Sequence, residues 1–548
     1  MPHAAQRREC GRPFGYHAGA VNNAKAAGMN IEELLNRDFR TLPELIHLHA
    51  AEQPPRTALR QDERSLDYPG LAALMDRVAA SLQRDGVKQG DAVAICATMS
   101  IEYAAVFLGA LRAGAAVAPL APGSTAASLA TMIADAGARH IFLDSDVAAA
   151  LQPVSDRISA KRIALDGSPA GMAFTTWLVP AGSKPEPITP VPDAPFNLIY
   201  SSGTTGTPKG IVQSNRMRWS QWKRAAAYDY KPDCITIVST PLYSNTTLVS
   251  FLPTLAVGGV NVLMPRFDAR KFLELAQKNK ATTAMLVPVQ YSRIMALPEF
   301  ESYDLSSFRA KFCTSAPFAA ALKADILKRW PGRLIEYYGM TEGGGTCVLE
   351  ATVHPGKLHT VGCPAPGHDI RLIDDQGREL PPGSTGEIVG HSEGIMTGYH
   401  NQPAKTAEAE WHDTGGKRFI RTGDIGRFDE DGFLTLVDRK KDMIISGGFN
   451  VYPSDLEAVL RGHADVAEAA VVGVPSEKWG ETPVAFVVPR RTDANLPQAL
   501  LDWANSQLGK TQRIAAVELV DVLPRSGIGK VLKRELRDAW RSRATAQS

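Results

Sequence analysis

The sequence predicts an α/β fold with parallel sheets flanked by helices, followed by a small β-rich subdomain and a further α/β unit. Apolar runs typical of buried strands alternate with helical segments through the first two thirds of the chain. Near residue 362 the pattern changes to short strands separated by Gly, Pro and Asp turns. At 548 residues, the chain is long enough for three or four structural units.

The individual elements follow from this alternation. Residues 92–97 and 115–120 are predicted strands, with a helix at 101–112 between them. The Pro-rich stretch 179–195 is a candidate linker between subdomains. Further strands are predicted at 235–239, 260–264, 283–287, 334–337, 370–374 and 386–389. The last α/β unit is expected from about residue 438 to 540.

Composition is that of a large soluble enzyme and excludes some classes of partner. The hydrophobic fraction is 44% and the charged fraction 22%, both ordinary for globular proteins. A net charge of +2 gives no indication of nucleic acid or an anionic membrane as a required partner. The six cysteines form no Cys-x-x-Cys pair, so reduced thiols in a cytoplasmic protein are expected.

No segment is predicted to span a membrane. The best candidate, 103–120, contains Arg112 and two glycines, so helix, turn and strand explain it better. Residues 1–28 lack the apolar core of a signal peptide and are expected to form a disordered leader. An expression-vector remnant, an upstream start before Met29 and a targeting segment are the alternatives.

The most informative segment is residues 200–210, Tyr-Ser-Ser-Gly-Thr-Thr-Gly-Thr-Pro-Lys-Gly, which follows an apolar strand. Glycines let backbone N–H groups approach an anion closely, while hydroxyls and a lysine add donors and charge. The segment is therefore predicted to bind phosphate, although a plain Ser/Gly turn is the alternative. It differs from a Walker loop, because Pro208 precedes Lys209 and Gly210 follows it. The predicted ATP-binding residues are Ser201, Ser202, Gly203, Thr204, Thr205, Gly206, Thr207 and Lys209.

A second segment, Glu336-Tyr-Tyr-Gly-Met-Thr-Glu342, ends a predicted strand, where α/β sheets usually bind ligands. A Thr hydroxyl beside a carboxylate suits a phosphate oxygen and a Mg²⁺ ion. A surface turn is the alternative, since Thr-Glu is a common dipeptide. Further distinctive segments occur at 421–424, 438–453 and 523–536.

Together these segments resemble the adenylate-forming enzymes, which include acyl- and aryl-CoA synthetases, firefly luciferase and the adenylation domains of peptide synthetases. The segments occur in the family's order, and the resemblance covers about residues 42–536. It implies a large N-terminal domain at 29–440, hinged to a small mobile C-terminal domain at 441–548. The large domain would contain two parallel-sheet subdomains, about 29–190 and 191–361, and a β-barrel-like one at 362–440.

The resemblance also implies roles for residues in the second segment. Tyr338 would stack on adenine, Thr341 would contact the α-phosphate, and Glu342 would hold Mg²⁺. Thr341 and Glu342 are thus candidate catalytic residues. The remaining residues placed in the ATP site are Ser315, Ala316, Pro317, Gly339 and Met340.

Nucleotide and domain-motion roles fall on the later segments. The family places an aspartate on the ribose, which is Asp424 here, and Arg439 matches an arginine that contacts ribose and phosphate. Lys441 matches the hinge. Lys530 matches the catalytic lysine that bridges the substrate carboxylate and the α-phosphate, and it is expected at the start of a helix. For each of these, a solvated surface turn is the alternative.

Coenzyme A is expected along a strip without side chains. Gly447 and Gly448 would let a pantetheine arm approach the acyl group. Trp479 matches a position near the CoA nucleotide in some relatives, and core packing is its alternative. Residues 510–513, Lys-Thr-Gln-Arg, depart from the family pattern and leave the CoA phosphate contacts open.

The candidate acyl pocket differs most from the family. Its residues are Tyr243, Ser244, Asn245, Tyr337 and Gly343. Most relatives have a histidine after Tyr243, where this chain has neutral Ser244 and Asn245. Tyr337 stands where several relatives have glycine, and its ring should shorten the pocket. It is also not the arginine with which malonyl-CoA synthetases bind a second carboxylate.

The sequence therefore predicts an AMP-forming acyl-CoA ligase for a short or medium-chain, or compact-ring, monocarboxylic acid. It would use ATP, Mg²⁺ and coenzyme A. The alternatives are an adenylating enzyme that loads an acyl carrier protein, a luciferase-like oxygenase, and a nucleotide-binding regulator without ligase activity. The resemblance leaves open a homodimer and an acetyltransferase acting on Lys530, since some relatives are acetylated there.

Overall fold

The computed structural model of the chain describes residues 39–52, 54–201, 208–446, 449–476, 479–491, 493, 495–509, 512–525 and 529–547. The described chain forms two compact units. The first comprises Met1–Asp369 and Gly390–Ile420, and the second comprises Ile370–Val389 and Arg421–Ser548.

The elements below are numbered in chain order over the described residues. The strands are β1 (Thr57–Gln61), β2 (Arg64–Asp67), β3 (Ala92–Cys96), β4 (Ala116–Pro119), β5 (His140–Leu143), β6 (Lys161–Ala164), β7 (Met172–Ala173), β8 (Pro195–Ser201), β9 (Lys209–Ser214), β10 (Ile235–Val238), β11 (Val260–Leu263), β12 (Thr283–Leu286), β13 (Ala310–Cys313), β14 (Arg333–Tyr338), β15 (Cys347–Glu350), β16 (Cys363–Pro364), β17 (Asp369–Ile373), β18 (Thr385–His391), β19 (Gly398–Tyr399), β20 (Glu410–His412), β21 (Arg418–Phe428), β22 (Leu434–Arg439), β23 (Ile444–Ser446), β24 (Phe449–Val451), β25 (Val466–Ser476), β26 (Gly480–Pro489) and β27 (Ala516–Leu519).

The helices are α1 (Leu42–Ala50), α2 (Tyr68–Arg84), α3 (Ile101–Arg112), α4 (Ala126–Asp135), α5 (Ser145–Leu151), α6 (Phe174–Trp177), α7 (Asn215–Trp222), α8 (Asn245–Ala256), α9 (Ala269–Asn279), α10 (Pro288–Met295), α11 (Ala320–Arg329), α12 (Pro403–Glu408), α13 (Pro453–Arg461), α14 (Leu496–Gln507) and α15 (Lys533–Gln547). No helix in this described part of the chain combines the length and the apolar character needed to cross a bilayer.

Two large sheets organise the first unit. The nine-stranded sheet has the order β16-β15-β14-β13-β12-β10-β11-β1-β2, and its strands are parallel from β14 to β1. The eight-stranded sheet has the order β19-β9-β8-β4-β3-β5-β6-β7, with parallel pairing from β8 to β7. The predicted α/β fold class with parallel sheets is confirmed, and the predicted strands and the helix at 101–112 fall on observed elements.

The sheets do not follow the chain in simple blocks. β1 and β2 join the nine-stranded sheet, although β3 to β9 belong to the other one. The Pro-rich stretch therefore leads from β7 to β8 of the same sheet. Residues 370–389 and 421–440 belong to the second compact unit, whereas the sequence analysis placed both in the large domain. Local periodicity shows that a strand exists but not which sheet it joins, and the predicted boundaries stay predictions.

The second unit contains a five-stranded sheet of order β24-β23-β26-β25, with β27 paired to β26. Its helices bury Leu456, Leu460 and Leu500 in a separate apolar core. Another five-stranded sheet has the order β17-β18-β21-β20, with β22 paired to β21, and the division between the units passes through β18 and β21.

The core of the first unit is built by close helix packing. Helix α3 is buried along almost its whole length. A Cβ at Gly109 would lie 2.4 Å from the Val78 side chain on α2, so glycine is required where these helices meet. The free thiols of Cys96, Cys234, Cys313 and Cys347 are buried, as expected for reduced cysteines.

Asp85 connects the end of α2 to strands β5 and β6 and to helix α6. Its carboxylate accepts hydrogen bonds from Lys161 Nζ at 2.8 Å, Trp177 Nε1 at 2.9 Å and Arg84 Nε at 3.0 Å, and it lies 3.1 Å from His140 Nε2. Burial alone would raise the pKa of Asp85, but these hydrogen bonds outweigh it and hold the pKa well below its ordinary value. The ionised carboxylate is therefore a stabilising group.

We expect Asp85→Asn to lower the free energy of unfolding by about 2 kcal/mol at pH 7, because the neighbouring donors, which include the buried Trp177 and His140, lose their charged acceptor. A carboxyl group whose folded pKa is depressed stabilises the protein above its unfolded pKa, and this contribution is lost as the pH falls below about 4. Urea unfolding at pH 7 and pH 3 would measure this. The difference from wild type should shrink at pH 3.

The matched control is Asp193→Asn, since Asp193 pairs with Arg216 but is 72% exposed. It should change stability by less than about 1 kcal/mol at either pH. Equal effects of the two substitutions would contradict the stabilising role of Asp85.

Candidate active site

The residues that flank the predicted phosphate loop belong to an antiparallel pair of strands. β8 ends at Ser201 and β9 begins at Lys209, and these two residues are paired in the ladder. Ser202, Gly203, Thr204, Thr205, Gly206 and Thr207 lie outside the described residues. Lys209 Nζ lies 4.9 Å from the centre of the Tyr399 ring. The described base of the loop therefore presents a lysine next to an aromatic ring.

The second predicted segment leaves the nine-stranded sheet at the carboxyl end of β14. Tyr338 is the last residue of β14 and is only 9% exposed. Gly339, Met340 and Thr341 follow, and the Thr341 carbonyl accepts a hydrogen bond from Gln213 Nε2 at 2.7 Å. Because Gln213 lies on β9 of the other sheet, this bond connects the two predicted segments.

Tyr399 is a residue of this region that the sequence analysis missed. Its hydroxyl donates to Glu342 Oε1 at 3.0 Å. Burial, together with the negative charge of Glu342, raises the pKa of Tyr399, so the phenol remains protonated and can donate. Tyr399 thus contacts both Lys209 and Glu342. Only the structure shows that Tyr399 belongs here, because it is brought to the site by the pairing of β19 with β9, which are far apart in the sequence.

Glu342 fits the hard-oxygen chemistry of a Mg²⁺ ligand. Among the described residues, Tyr399 is the one hydrogen-bond donor to its side chain. Those residues contain no group of three or more His, Cys, Asp or Glu side chains able to hold a metal. A single carboxylate is sufficient for Mg²⁺ that also binds substrate phosphates, as in other nucleotide sites.

The ends of β13 and β14 meet beside this segment. Thr314 Oγ1 donates to the Tyr337 carbonyl at 2.8 Å. Ser315 has a φ of 84°, a left-handed conformation unusual for a residue with a side chain, and its hydroxyl contacts that of Thr246. Ser315, Ala316 and Pro317 therefore follow β13 beside the second segment, and their place in the ATP site stays a prediction.

The candidate acyl-pocket residues differ in their hydrogen bonds and in their burial. Ser244 Oγ accepts from Thr246 N at 3.3 Å and caps α8. Asn245 Oδ1 accepts from Gln213 Nε2 at 3.4 Å. Tyr243 is partly buried. The two polar side chains thus have structural partners within the fold.

Tyr337 belongs to an aromatic group at the end of β14. Its ring stacks on Phe312 with centroids 5.7 Å apart and an angle of 10°. It meets Tyr228 edge-on at 5.4 Å, and Phe312 also stacks on Tyr230 at 5.4 Å. The phenol ring is therefore held in place by its neighbours.

Gly343 is required for backbone packing. Its φ is 76°, and a Cβ there would lie 1.8 Å from the Gly394 carbonyl oxygen. The structure therefore gives Gly343 a backbone-packing role directly after Glu342.

The nucleotide and hinge residues of the second unit occupy one hairpin. Asp424 on β21 pairs with Arg439 on β22, with Oδ1 and Nε 2.6 Å apart. Lys441 follows β22 and is exposed. The structure therefore brings together Asp424 and Arg439, which the sequence assigned to the same nucleotide.

The remaining predicted residues of this unit are at its surface or undescribed. Trp479 is 49% exposed, which argues against core packing. Lys530 is exposed and precedes α15, which begins at Lys533, so the expectation that Lys530 begins a helix is wrong. Gly447 and Gly448 lie outside the described residues, as do Lys510 and Thr511.

Fold and motifs together define a class of enzyme that activates carboxylic acids as adenylates. The chain belongs to the AMP-binding enzyme family, because that family's model matches residues 46–400 and the model for its C-terminal domain matches residues 455–530. The chain is an AMP-forming acid–thiol ligase, and the cofactors of this class are ATP, Mg²⁺ and coenzyme A.

Three comparisons illustrate the similarity. A fatty acid–[acyl-carrier-protein] ligase of Streptomyces coeruleorubidus is 32% identical over 93% of this chain and 98% of its own length. An indoleacetate–CoA ligase of Aromatoleum aromaticum is 33% identical over 90% of this chain and 97% of its own. The crystal structure of ATP-bound MatB from Rhodopseudomonas palustris covers 91% of this chain and 99% of its own, with 29% identity and a TM-score of 0.81.

We expect Tyr399→Phe to raise the Mg²⁺ concentration needed for half-maximal activity by about 3- to 10-fold, because Glu342 loses its charge-assisted hydrogen bond. The phenyl ring stays beside Lys209, so the KM for the acid should change less. Acid-dependent ATP–pyrophosphate exchange at varied Mg²⁺ would measure both.

Tyr68→Phe is the control, since the Tyr68 hydroxyl donates to the Gly259 carbonyl at 2.7 Å. It should leave the Mg²⁺ dependence unchanged. An unchanged Mg²⁺ requirement in Tyr399→Phe would show that Tyr399 does not act on Glu342.

Proposed function

We propose that the enzyme activates a short or medium-chain, or compact-ring, monocarboxylic acid and transfers it to coenzyme A. The observation that carries the substrate proposal is Tyr337, whose ring is wedged between Phe312 and Tyr228. A ring fixed at the end of β14 leaves less room for a long chain than a glycine would. The absence of an arginine at position 337 supports a substrate with one carboxylate.

The proposed reaction has two steps. A carboxylate oxygen attacks the α-phosphorus of ATP, and the bond to pyrophosphate breaks to give an acyl adenylate. A thiolate then attacks the acyl carbon and AMP leaves. Both reactants of the first step are anions, so positive groups must offset their repulsion.

We assign that offset to the residues predicted from the motifs. Lys209 and the loop before it would bind phosphates, and Thr341 would donate to the α-phosphate. Bound Mg²⁺ would neutralise phosphate charge, with Glu342 holding it and Tyr399 orienting Glu342. Lys530 would bridge the carboxylate and the α-phosphate. For the ribose we assign Asp424, oriented by its ion pair with Arg439.

The domain-motion and thiol roles remain part of the proposal. Lys441 would be the hinge about which the C-terminal segment turns between the two steps. Gly447 and Gly448 would line the path of the pantetheine arm. An exposed indole at Trp479 can contact the CoA nucleotide, which favours that role over core packing.

A carrier protein is the second candidate acceptor. Similarity over nearly the full length to a ligase that acts on an acyl carrier protein favours it, while similarity to an indoleacetate–CoA ligase favours free coenzyme A. Both acceptors present the same pantetheine thiol, so the adenylation half of the site would be shared.

The direct test is a carboxylic-acid panel with ATP and Mg²⁺, assayed with coenzyme A and separately with a phosphopantetheinylated carrier protein. We expect pyrophosphate release and a CoA thioester from a narrow set of compact monocarboxylic acids, identified by mass. Thioester on the carrier protein alone would replace the CoA proposal by the second candidate. No acid-dependent pyrophosphate release would contradict both.

Tyr337→Gly tests the pocket argument. We expect it to raise the ratio of kcat/KM for ten-carbon over four-carbon acids by about 10-fold or more, because the space of the ring becomes available. Tyr337→Phe keeps the ring and should leave the ratio unchanged. If Tyr337→Gly folds and retains the wild-type ratio, Tyr337 does not limit chain length.

A further inference from the structure

Arg218 is a buried cation that has no carboxylate partner among the described residues. It lies on α7 and its side chain has no exposure to solvent. Within the described chain its hydrogen-bond partners are neutral amides. Nε and Nη2 donate to Asn197 Oδ1 at 3.1 and 3.0 Å, Nη1 donates to Gln221 Oε1 at 2.9 Å, and Nη2 also donates to Gln213 Oε1. The guanidinium also packs over the Phe196 ring.

A buried charge with no carboxylate beside it is costly to keep. Burial lowers the pKa of Arg218 to about 9, so the guanidinium stays protonated at neutral pH. The amide oxygens satisfy its hydrogen bonds but do not cancel its charge. Where anions bind nearby, the cost of burying such a cation is offset, because its positive charge attracts them strongly through a medium of low dielectric constant.

Gln213 connects this cation to the adenylation site. A guanidinium can only donate, so the oxygen of Gln213 must face Arg218. The Nδ2 group of Asn197 donates to the same oxygen at 3.0 Å. The nitrogen of Gln213 must then face the other way, where it donates to the Thr341 carbonyl at 2.7 Å. Arg218 thus fixes the amide that holds the peptide between Thr341 and Glu342.

We propose that Arg218 is a positioning residue for adenylation, which orients the Thr341 segment through Gln213 and supplies an uncancelled positive charge beneath it. The charge favours the anionic carboxylate and phosphates over the empty site, and more so as charge develops on pyrophosphate. This inference rests on the proposed adenylation step but not on the identity of the acid or the thiol.

Gln221→Glu tests the proposal with little change of shape. It replaces one amide nitrogen by oxygen, keeps the acceptor for Arg218 Nη1 and places a carboxylate beside the guanidinium. The new ion pair should leave the thermal unfolding midpoint equal or higher. We expect kcat for acid-dependent ATP–pyrophosphate exchange to fall about five-fold, with the KM for the acid changed by less than about two-fold.

Two matched variants separate charge from packing. Gln221→Met removes the same acceptor without adding charge, so its kcat should stay within about two-fold of wild type. Gln61→Glu adds a carboxylate beside Arg64, which is 54% exposed and already paired with Glu102. It should leave the exchange kinetics unchanged.

The outcomes are distinguishable from failure of the proposed function. If wild-type protein shows no acid-dependent exchange, the proposed function is wrong. If wild type is active and Gln221→Glu is folded with an unchanged kcat, Arg218 does not serve the site through its charge. An equal loss in Gln221→Met and Gln221→Glu would likewise overturn the proposal, because packing would then explain it.

Discussion

The hydrogen bond from Gln213 to the Thr341 carbonyl joins the two large sheets of the first unit. It lies where β9 and β14 adjoin the two predicted phosphate-binding segments. Gln213 is on β9, which together with β8 forms the hairpin carrying the phosphate loop. Thr341 follows β14 of the other sheet. In the proposed adenylation, a fixed relation between these ends would align a triphosphate bound at one with a carboxylate and metal bound at the other.

Parallel pairing provides the second constraint. Cys313 on β13 is in register with Glu336 on β14, so both strands end at the same edge of the sheet. The turns that follow must therefore lie side by side, and Thr314 secures them by donating to the Tyr337 carbonyl. Brief turns of unusual conformation at Ser315 and Gly343 are compatible with this close packing.

Buried polar groups in this region are organised around binding more than around stability. Arg218 lacks a carboxylate among its described partners, whereas Asp85, at the end of α2, is surrounded by donors that favour its charge. The two sites illustrate opposite uses of burial. One stabilises the fold at neutral pH, and the other keeps a charge available to ligands at a cost in folding free energy.

The sequence predicted the parallel α/β architecture and most element positions, because apolar periodicity is local. It also predicted roles for Thr341, Glu342 and the phosphate loop, because each lies in a contiguous motif whose composition has a chemical meaning, and these roles stay predictions. It did not identify Tyr399 or Gln213. Nothing in their local sequence marks them, because their contacts form only when strands that are distant in the sequence pair. It also predicted Gly343 in the acyl pocket, which stays a prediction, and it gave no sign of the close backbone contact with Gly394.

The sequence alone therefore determined the class of chemistry, because its motifs and their order resemble those of the adenylate-forming enzymes. Only the tertiary structure decided which sheet each strand joins, how Tyr337 is held by Phe312 and Tyr228, and which neutral amides surround Arg218. Those relations depend on contacts between residues far apart in the chain, and neither periodicity nor local propensity records them.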